Sequence, residues 1–184
     1  MKIPKKILIL PLVLLSFHTV FAQNPVLISV GANALLPSDT DYQDIYGRYA
    51  FYPDFTLGLR IFRGFYLLGT FGLLAKKGET PNLGLLAQSQ QQFLTANIGY
   101  IGRISGSFSW KVAWGPALVF YKEEALETSI TGNQIGFDAE LGLFLDREDS
   151  HLFFGLTAGY LSAKDTELGI KLGGPKVGLC FGFK

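Results

Sequence analysis

Apolar and polar residues alternate along most of this chain with a period of two, the pattern of strands that carry one greasy face. It is strict at the C-terminus. There Val177, Leu179, Phe181 and Phe183 share one face, and Lys176, Gly178, Cys180 and Gly182 share the other. Eight such segments follow one another: Pro25–Leu35, Tyr49–Phe62, Phe65–Ala75, Phe93–Ile104, Phe108–Tyr121, Ile135–Leu145, Leu152–Leu161 and Lys176–Phe183. Most exceed the ~5–6 residues of an ordinary soluble strand and suit the ~9–11 that cross a bilayer at a tilt.

The connections alternate too. Arg63-Gly64, Ser105-Gly106-Ser107 and the run from Asp146 to Ser150 are short. Leu36–Arg48, Lys76–Gln92, Lys122–Gln134 and Ser162–Pro175 are long and polar. An up-and-down membrane barrel behaves this way, with short turns on one side and long loops on the other; a Greek-key sandwich has no reason to. No linker marks a second domain.

Face assignment places the charges. Phe51, Phe55, Leu57, Leu59 and Ile61 oppose Tyr52, Asp54, Thr56, Gly58 and Arg60. The greasy face from Phe108 through Trp110, Trp114 and Leu118 to Phe120 leaves Lys111 opposite, and that from Ile135 to Leu145 leaves Asp138 and Glu140 opposite. In the fourth segment Leu94, Ala96, Ile98 and Tyr100 oppose Thr95, Asn97, Gly99 and Arg103. A basic residue facing lipid at the midplane costs about 2–4 kcal/mol, so these charges belong inside. Leu27, Leu68, Leu74, Phe153 and Leu161 also fall on inward faces and predict a partly apolar lumen. Eight strands make a narrow barrel filled by side chains. Inward glycines make room for long neighbours, and Arg60, Arg103 and Lys111 are candidates to pair with Asp54, Asp138 and Glu140. Tyr49, Phe51, Phe120 and Tyr121 are expected at the outer rim; Phe62, Phe65, Phe108, Trp110 and Phe183 are expected at the opposite rim, because aromatics favour the headgroup level.

Composition supports a membrane class. The 184 residues include 22 glycines, 16 phenylalanines, 8 tyrosines and 2 tryptophans, and mean hydropathy is +0.28. No segment after the N-terminal one approaches the ~18 apolar residues of a membrane helix. A closed barrel is then the way to satisfy every backbone group in lipid. Lys2, Lys5 and Lys6 precede an apolar run from Ile7 to Phe17, and Val20-Phe21-Ala22 offers a cleavage site before Gln23. Residues 1–22 read as a signal peptide and 23–184 as the barrel; an uncleaved N-terminal anchor is the other reading. Removing the leader takes three lysines and no acid, which moves the formal charge from +1 to −2 and gives no reason to expect nucleic-acid binding. Cys180 is the sole cysteine, so no intramolecular disulfide forms.

At the chain's end Lys176, Gly178, Phe181 and Phe183 resemble the β-signal of bacterial outer-membrane barrels, except that Lys184 follows the final aromatic. With the strand count and the alternating connections, the chain resembles the OmpA/OmpX-like family of small eight-stranded barrels. The resemblance implies an all-β, antiparallel, up-and-down transmembrane barrel. It also implies location in the outer membrane of a Gram-negative bacterium after cleavage near Ala22. The implied partners are outer-membrane lipid, lipopolysaccharide and the barrel assembly machinery, for a monomer without cofactor. It fixes no activity, since members include structural proteins, adhesins and lipid A-modifying enzymes.

Chemistry is sparse. His151 stands beside Ser150 and near Asp149, a hydrolase-like trio, but adjacent residues in a short turn seldom take triad geometry and a solvated histidine is favoured. After the expected leader, one histidine and one cysteine supply no transition-metal site. Asp39-Asp41-Asp44 and Glu123-Glu124-Glu127 could bind divalent cations, with solvated acidic loops the favoured reading. The expectation is a non-enzymatic barrel acting structurally or through four long extracellular loops. A lipid A acyltransferase or deacylase and a soluble exported carrier are the alternatives.

Overall fold

The computed structural model describes residues 26–81, 83–125, 128–146, 150–164 and 171–184. The expected leader and residues 23–25, 82, 126–127, 147–149 and 165–170 lie outside them, and with them Glu127 and Asp149. Eight strands form the fold: β1 Val26–Leu35, β2 Ala50–Phe62, β3 Phe65–Glu79, β4 Leu86–Ser105, β5 Phe108–Ala125, β6 Thr128–Leu145, β7 Leu152–Lys164 and β8 Lys171–Phe183. A seven-residue helix, α1 (Thr40–Tyr46), follows β1. Each strand pairs antiparallel with its sequence neighbour, and β8 returns to β1, so the sheet closes into a barrel. Closure leaves no spanning backbone edge unpaired, the condition lipid imposes.

The greasy faces point outward. Register places Val30, Phe55, Phe71, Leu94, Leu118 and Ile135 on one continuous row around the outside. At the short-turn end Phe65, Tyr100 and Trp110 stack in series, with ring centroids 5.0 and 5.4 Å apart. Arg63 (φ 32°) and Gly64 (φ 98°) turn β2 into β3. Two consecutive positive φ values match the right-handed twist of a tight hairpin.

The structure corrects two expectations. Much of Lys76–Gln92 and Lys122–Gln134 is strand. β3 and β4 pair out to Glu79 and Leu86, and β5 and β6 pair out to Ala125 and Thr128. Polar residues on both faces erased the period-two signal there, while the backbone ladder continued without it. Four strands therefore stand taller than the rest. Tyr121, expected at the rim, faces inward and is buried, because the taller wall places it within the upper lumen.

Candidate functional site: the filled lumen and its cap

Two apolar layers fill the barrel with a polar layer between them. Nearer the short turns are Leu27, Tyr66, Leu68, Ala113, Phe144 and Phe153. Toward the other end lie Leu35, Tyr52, Leu74, Phe93, Val119 and Leu161 among others. The inward apolar positions read from the sequence thus build the lumen's two greasy layers.

Charges meet in the middle. Lys111 Nζ from β5 donates to Glu140 Oε1 on β6. Lys176 Nζ from β8 lies 2.6 Å from Asp138 Oδ1 and 3.3 Å from Glu140 Oε2. Asn97 Nδ2 donates to Asp138 Oδ2 at 2.7 Å, and Asn33 Nδ2 donates to Asp54 Oδ2 at 2.9 Å. Buried charges persist only when paired and hydrogen-bonded; Asp138 and Glu140 meet that need, while Asp54, expected to pair with a cation, is held by the Asn33 amide. The cavity bounded by Asp54, Lys111, Glu140 and Phe144 holds only about 20 Å³, room for roughly one water.

Glycines make the crossings possible. Lys176, Gly159 and Glu140 are in register on β8, β7 and β6. A Cβ on Gly159 would lie 3.0 Å from Lys176 Cε and 2.3 Å from Ala139 O, so the lysine passes over a strand with no side chain at that point. Gly115 serves Asn97 in the same way, and Gly31 serves Asp54: a Cβ there would lie 2.8 Å from Asn97 Oδ1 and 2.3 Å from Asp54 Oδ1.

The other two candidate cations sit nearer the short turns. Arg60 Nε donates to Tyr66 Oη at 3.1 Å, and its guanidinium lies 5.6 Å from that ring's centre. Arg103 lies 3.8 Å from Asp146. Asp146, fully buried, also accepts from Ser109 Oγ at 2.9 Å and from Lys184 Nζ. Lys184, the residue that departs from the β-signal pattern, therefore joins Arg103 as a cation for this carboxylate and donates a hydrogen bond to it. Of the signal residues, Gly178 faces inward against Asn33, and Phe181 and Phe183 face outward. Lys176 was legible as inward-facing from its parity with Gly178, but its place among the lumen ions was missed because the motif had absorbed it. His151 Nδ1 lies 3.2 Å from Lys184 O, and its ring lies 5.4 Å from that of Phe183. Ser150 Oγ bonds the backbone of Leu152.

The upper end is capped by α1. Asp39 Oδ1 accepts from Tyr42 N at 3.0 Å, a standard N-cap bond, and Asp39 Oδ2 accepts from Lys171 N at 3.2 Å. Asp39 and Asp41 thus start a helix, and the loop expected of them is corrected: Asp39 followed by Tyr42 and Tyr46 one turn apart was the signal. Tyr42 Oη donates to Ser89 Oγ at 3.3 Å. Ser89 Oγ and Tyr46 Oη donate to the two oxygens of Glu123, at 2.6 and 2.5 Å. Burial pushes Glu123 above the usual carboxylate range, while these hydrogen bonds oppose the shift. Burial pushes Tyr42 up to about 12, and Tyr46 is raised by burial and by Glu123. Glu124 pairs with Lys122 on the outer side, so the two neighbouring glutamates face opposite ways and make no shared cation site. Among the described residues no group of three or more histidine, cysteine or acidic side chains is arranged to hold a metal.

No protein-family model matches the sequence, and no characterised protein matches it at the sequence level. Solved structures do match. Neisserial surface protein A aligns with a TM-score of 0.70 at 9% identity, over 87% of this chain and 97% of its own. OprG from Pseudomonas aeruginosa gives 0.62 at 14%, over 86% and 94%. The N-terminal β-barrel domain of Pseudomonas aeruginosa OprF gives 0.61 at 13%, over 88% and 97%. The chain has the fold of these small eight-stranded outer-membrane barrels, over nearly their whole length.

Proposed function

We propose that the protein is a monomeric, non-enzymatic barrel of the Gram-negative outer membrane, acting structurally or as a surface-interaction protein. It reaches the membrane after loss of a leader ending near Ala22. The barrel assembly machinery reads Lys176, Gly178, Phe181 and Phe183, and the taller end with α1 faces outward. Outer-membrane lipid and lipopolysaccharide surround its apolar exterior. The observation that carries this reading is the lumen: the ions linking Lys111, Glu140, Lys176 and Asp138 lie between two packed apolar layers, which suits a rigid display scaffold and not a conduit. Specificity then resides at the capped end.

Fractionation and planar-bilayer recording test it together. The expected result is recovery with outer membranes, no steady conductance, and an unchanged lipid A mass profile on deletion. A conducting pore would remove the filled-lumen reading. A shifted lipid A profile would replace the scaffold with an enzyme, and recovery in the soluble periplasm would leave an exported carrier.

A further inference from the structure

The wall formed by β3 to β6 carries a second surface that neither the lumen nor the cap uses. The run Gln88-Ser89-Gln90-Gln91-Gln92 splits by parity: Ser89 and Gln91 are buried inside, while Gln90 and Gln92 are exposed outside with Gln88 half-exposed above them. Register sets Gln92 and Asn133 on either side of Phe120, the last apolar outward residue of β5. One step farther out Gln90 stands beside Lys122, and one step beyond that Gln88 stands beside Lys77. The greasy row of Leu94, Leu118 and Ile135 lies directly below. On the opposite wall the belt at this end gives way to the exposed aromatics Tyr49, Phe51 and Tyr160, with Ser162, Lys164 and Lys171 beyond Tyr160 and no run of amides.

We propose that this outer face is a docking surface for the phosphorylated sugar headgroup of an outer-leaflet glycolipid. The glutamine ladder and Asn133 take sugar hydroxyls, and Lys77 and Lys122 take the phosphates. The inference rests on the outer-membrane reading above. Position selects the occupant: the polar face continues the apolar belt without a break, so the molecule whose acyl chains cover the belt brings its headgroup here. Chemistry agrees, because each amide offers two donors and an acceptor on one planar group, which suits hydroxyls better than a bare charge would. Height separates a sugar headgroup from a simple phosphodiester. Gln92 and Gln88 are four residues apart, about 13 Å along the strand. Glu124 pairs with Lys122 on the same face, and an exposed pair of this kind holds its ammonium only weakly.

The test refolds the full barrel into phosphatidylcholine vesicles, with and without deep-rough lipopolysaccharide, and follows the thermal loss of the compact gel band. Lipopolysaccharide should raise the wild-type midpoint. The triple variant Gln88→Ala, Gln90→Ala, Gln92→Ala should lose most of that rise while matching wild type in phosphatidylcholine alone. The pair Lys77→Met, Lys122→Met should raise the lipopolysaccharide concentration needed for half the rise roughly fivefold per lysine. An undiminished rise in both variants overturns the proposal. So does an equal wild-type rise with phosphatidylglycerol in place of lipopolysaccharide, which would show that any anionic surface suffices. Absence of a compact band in every vesicle overturns the membrane reading, and the docking surface with it.

Discussion

Lys176 reaches Asp138 by passing over an intervening strand: its ammonium ends 2.6 Å from Asp138 Oδ1 after crossing β7 at Gly159. This relationship joins three features that look unrelated in the sequence. They are a lysine in the closing strand, a glycine in the strand before it and an acid in β6.

Gly159→Ala should destabilise the barrel by about 1–3 kcal/mol, the usual penalty for overpacking. Its Cβ would fall 2.3 Å from Ala139 O, which cannot move, and 3.0 Å from Lys176 Cε. Gly106→Ala is the control, since nothing lies within 4 Å of its Cβ, and it should be neutral. Urea unfolding in detergent micelles distinguishes them; equal midpoints would mean the crossing is not tight.

Lys176→Met leaves Asp138 with Asn97 alone and Glu140 with Lys111 alone. Breaking one side of a buried ion pair costs about 3–5 kcal/mol. Adding Asp138→Asn should recover part of that loss, because the stranded charge is gone. A double-mutant cycle reads the coupling, and simple additivity of the two changes would remove Lys176–Asp138 from the stabilising contacts.

The cap should loosen as pH rises. Glu123 is raised in the folded protein by burial, so between the ordinary carboxylate value of ~4.3 and its raised value the docked state binds more proton than the undocked one. By linkage, docking strength is fully present at the acid end and falls as pH climbs through the raised value. Hydrogen-exchange protection of the α1 amides, corrected for intrinsic rate, should decline across this window. Glu123→Gln should flatten the decline. Protection that rises with pH would reverse the assignment.

Asp146→Ala should cost about 1–3 kcal/mol, since it strands Ser109 and releases Lys184 and Arg103 at the short-turn end. Lys184→Ala should cost less, because Ser109 and Arg103 still face the carboxylate. If the two losses in thermal midpoint were reversed in order, Lys184 would be acting through something other than Asp146.

The strands, their order and their outward faces were legible because a membrane barrel must alternate wherever one face meets lipid. Phe51, Phe55 and Leu57 could face only one way once Asp54 and Arg60 stood between and beyond them. Legibility ended where lipid ends. From Lys76 to Gln92 both faces of the wall meet polar surroundings, so the residues no longer reported a strand that backbone pairing maintained. The helix was hidden for a related reason: seven residues give too few turns for a period, and only the Asp39 cap and the spacing of Tyr42 and Tyr46 announced it. Within the lumen, parity identified Lys111, Asp138 and Glu140 as inward, but which cation meets which acid depends on how far each strand is shifted around the ring. That shift is fixed by closure, which no local stretch of sequence encodes.

The passage of Lys176 over Gly159 makes the final strand the carrier of charge balance. Seven strands alone would set Asp54, Asp138 and Glu140 facing a common interior with Lys111 as the one cation in the described middle layer. The second ammonium arrives only with β8, from the same stretch that seals the ring against β1. Closing the ring thus lowers the excess of these three carboxylates over their ammoniums from two to one, so charge compensation of the interior and geometric completion of the barrel are a single event, and an incompletely zipped chain is marked by a more acidic interior.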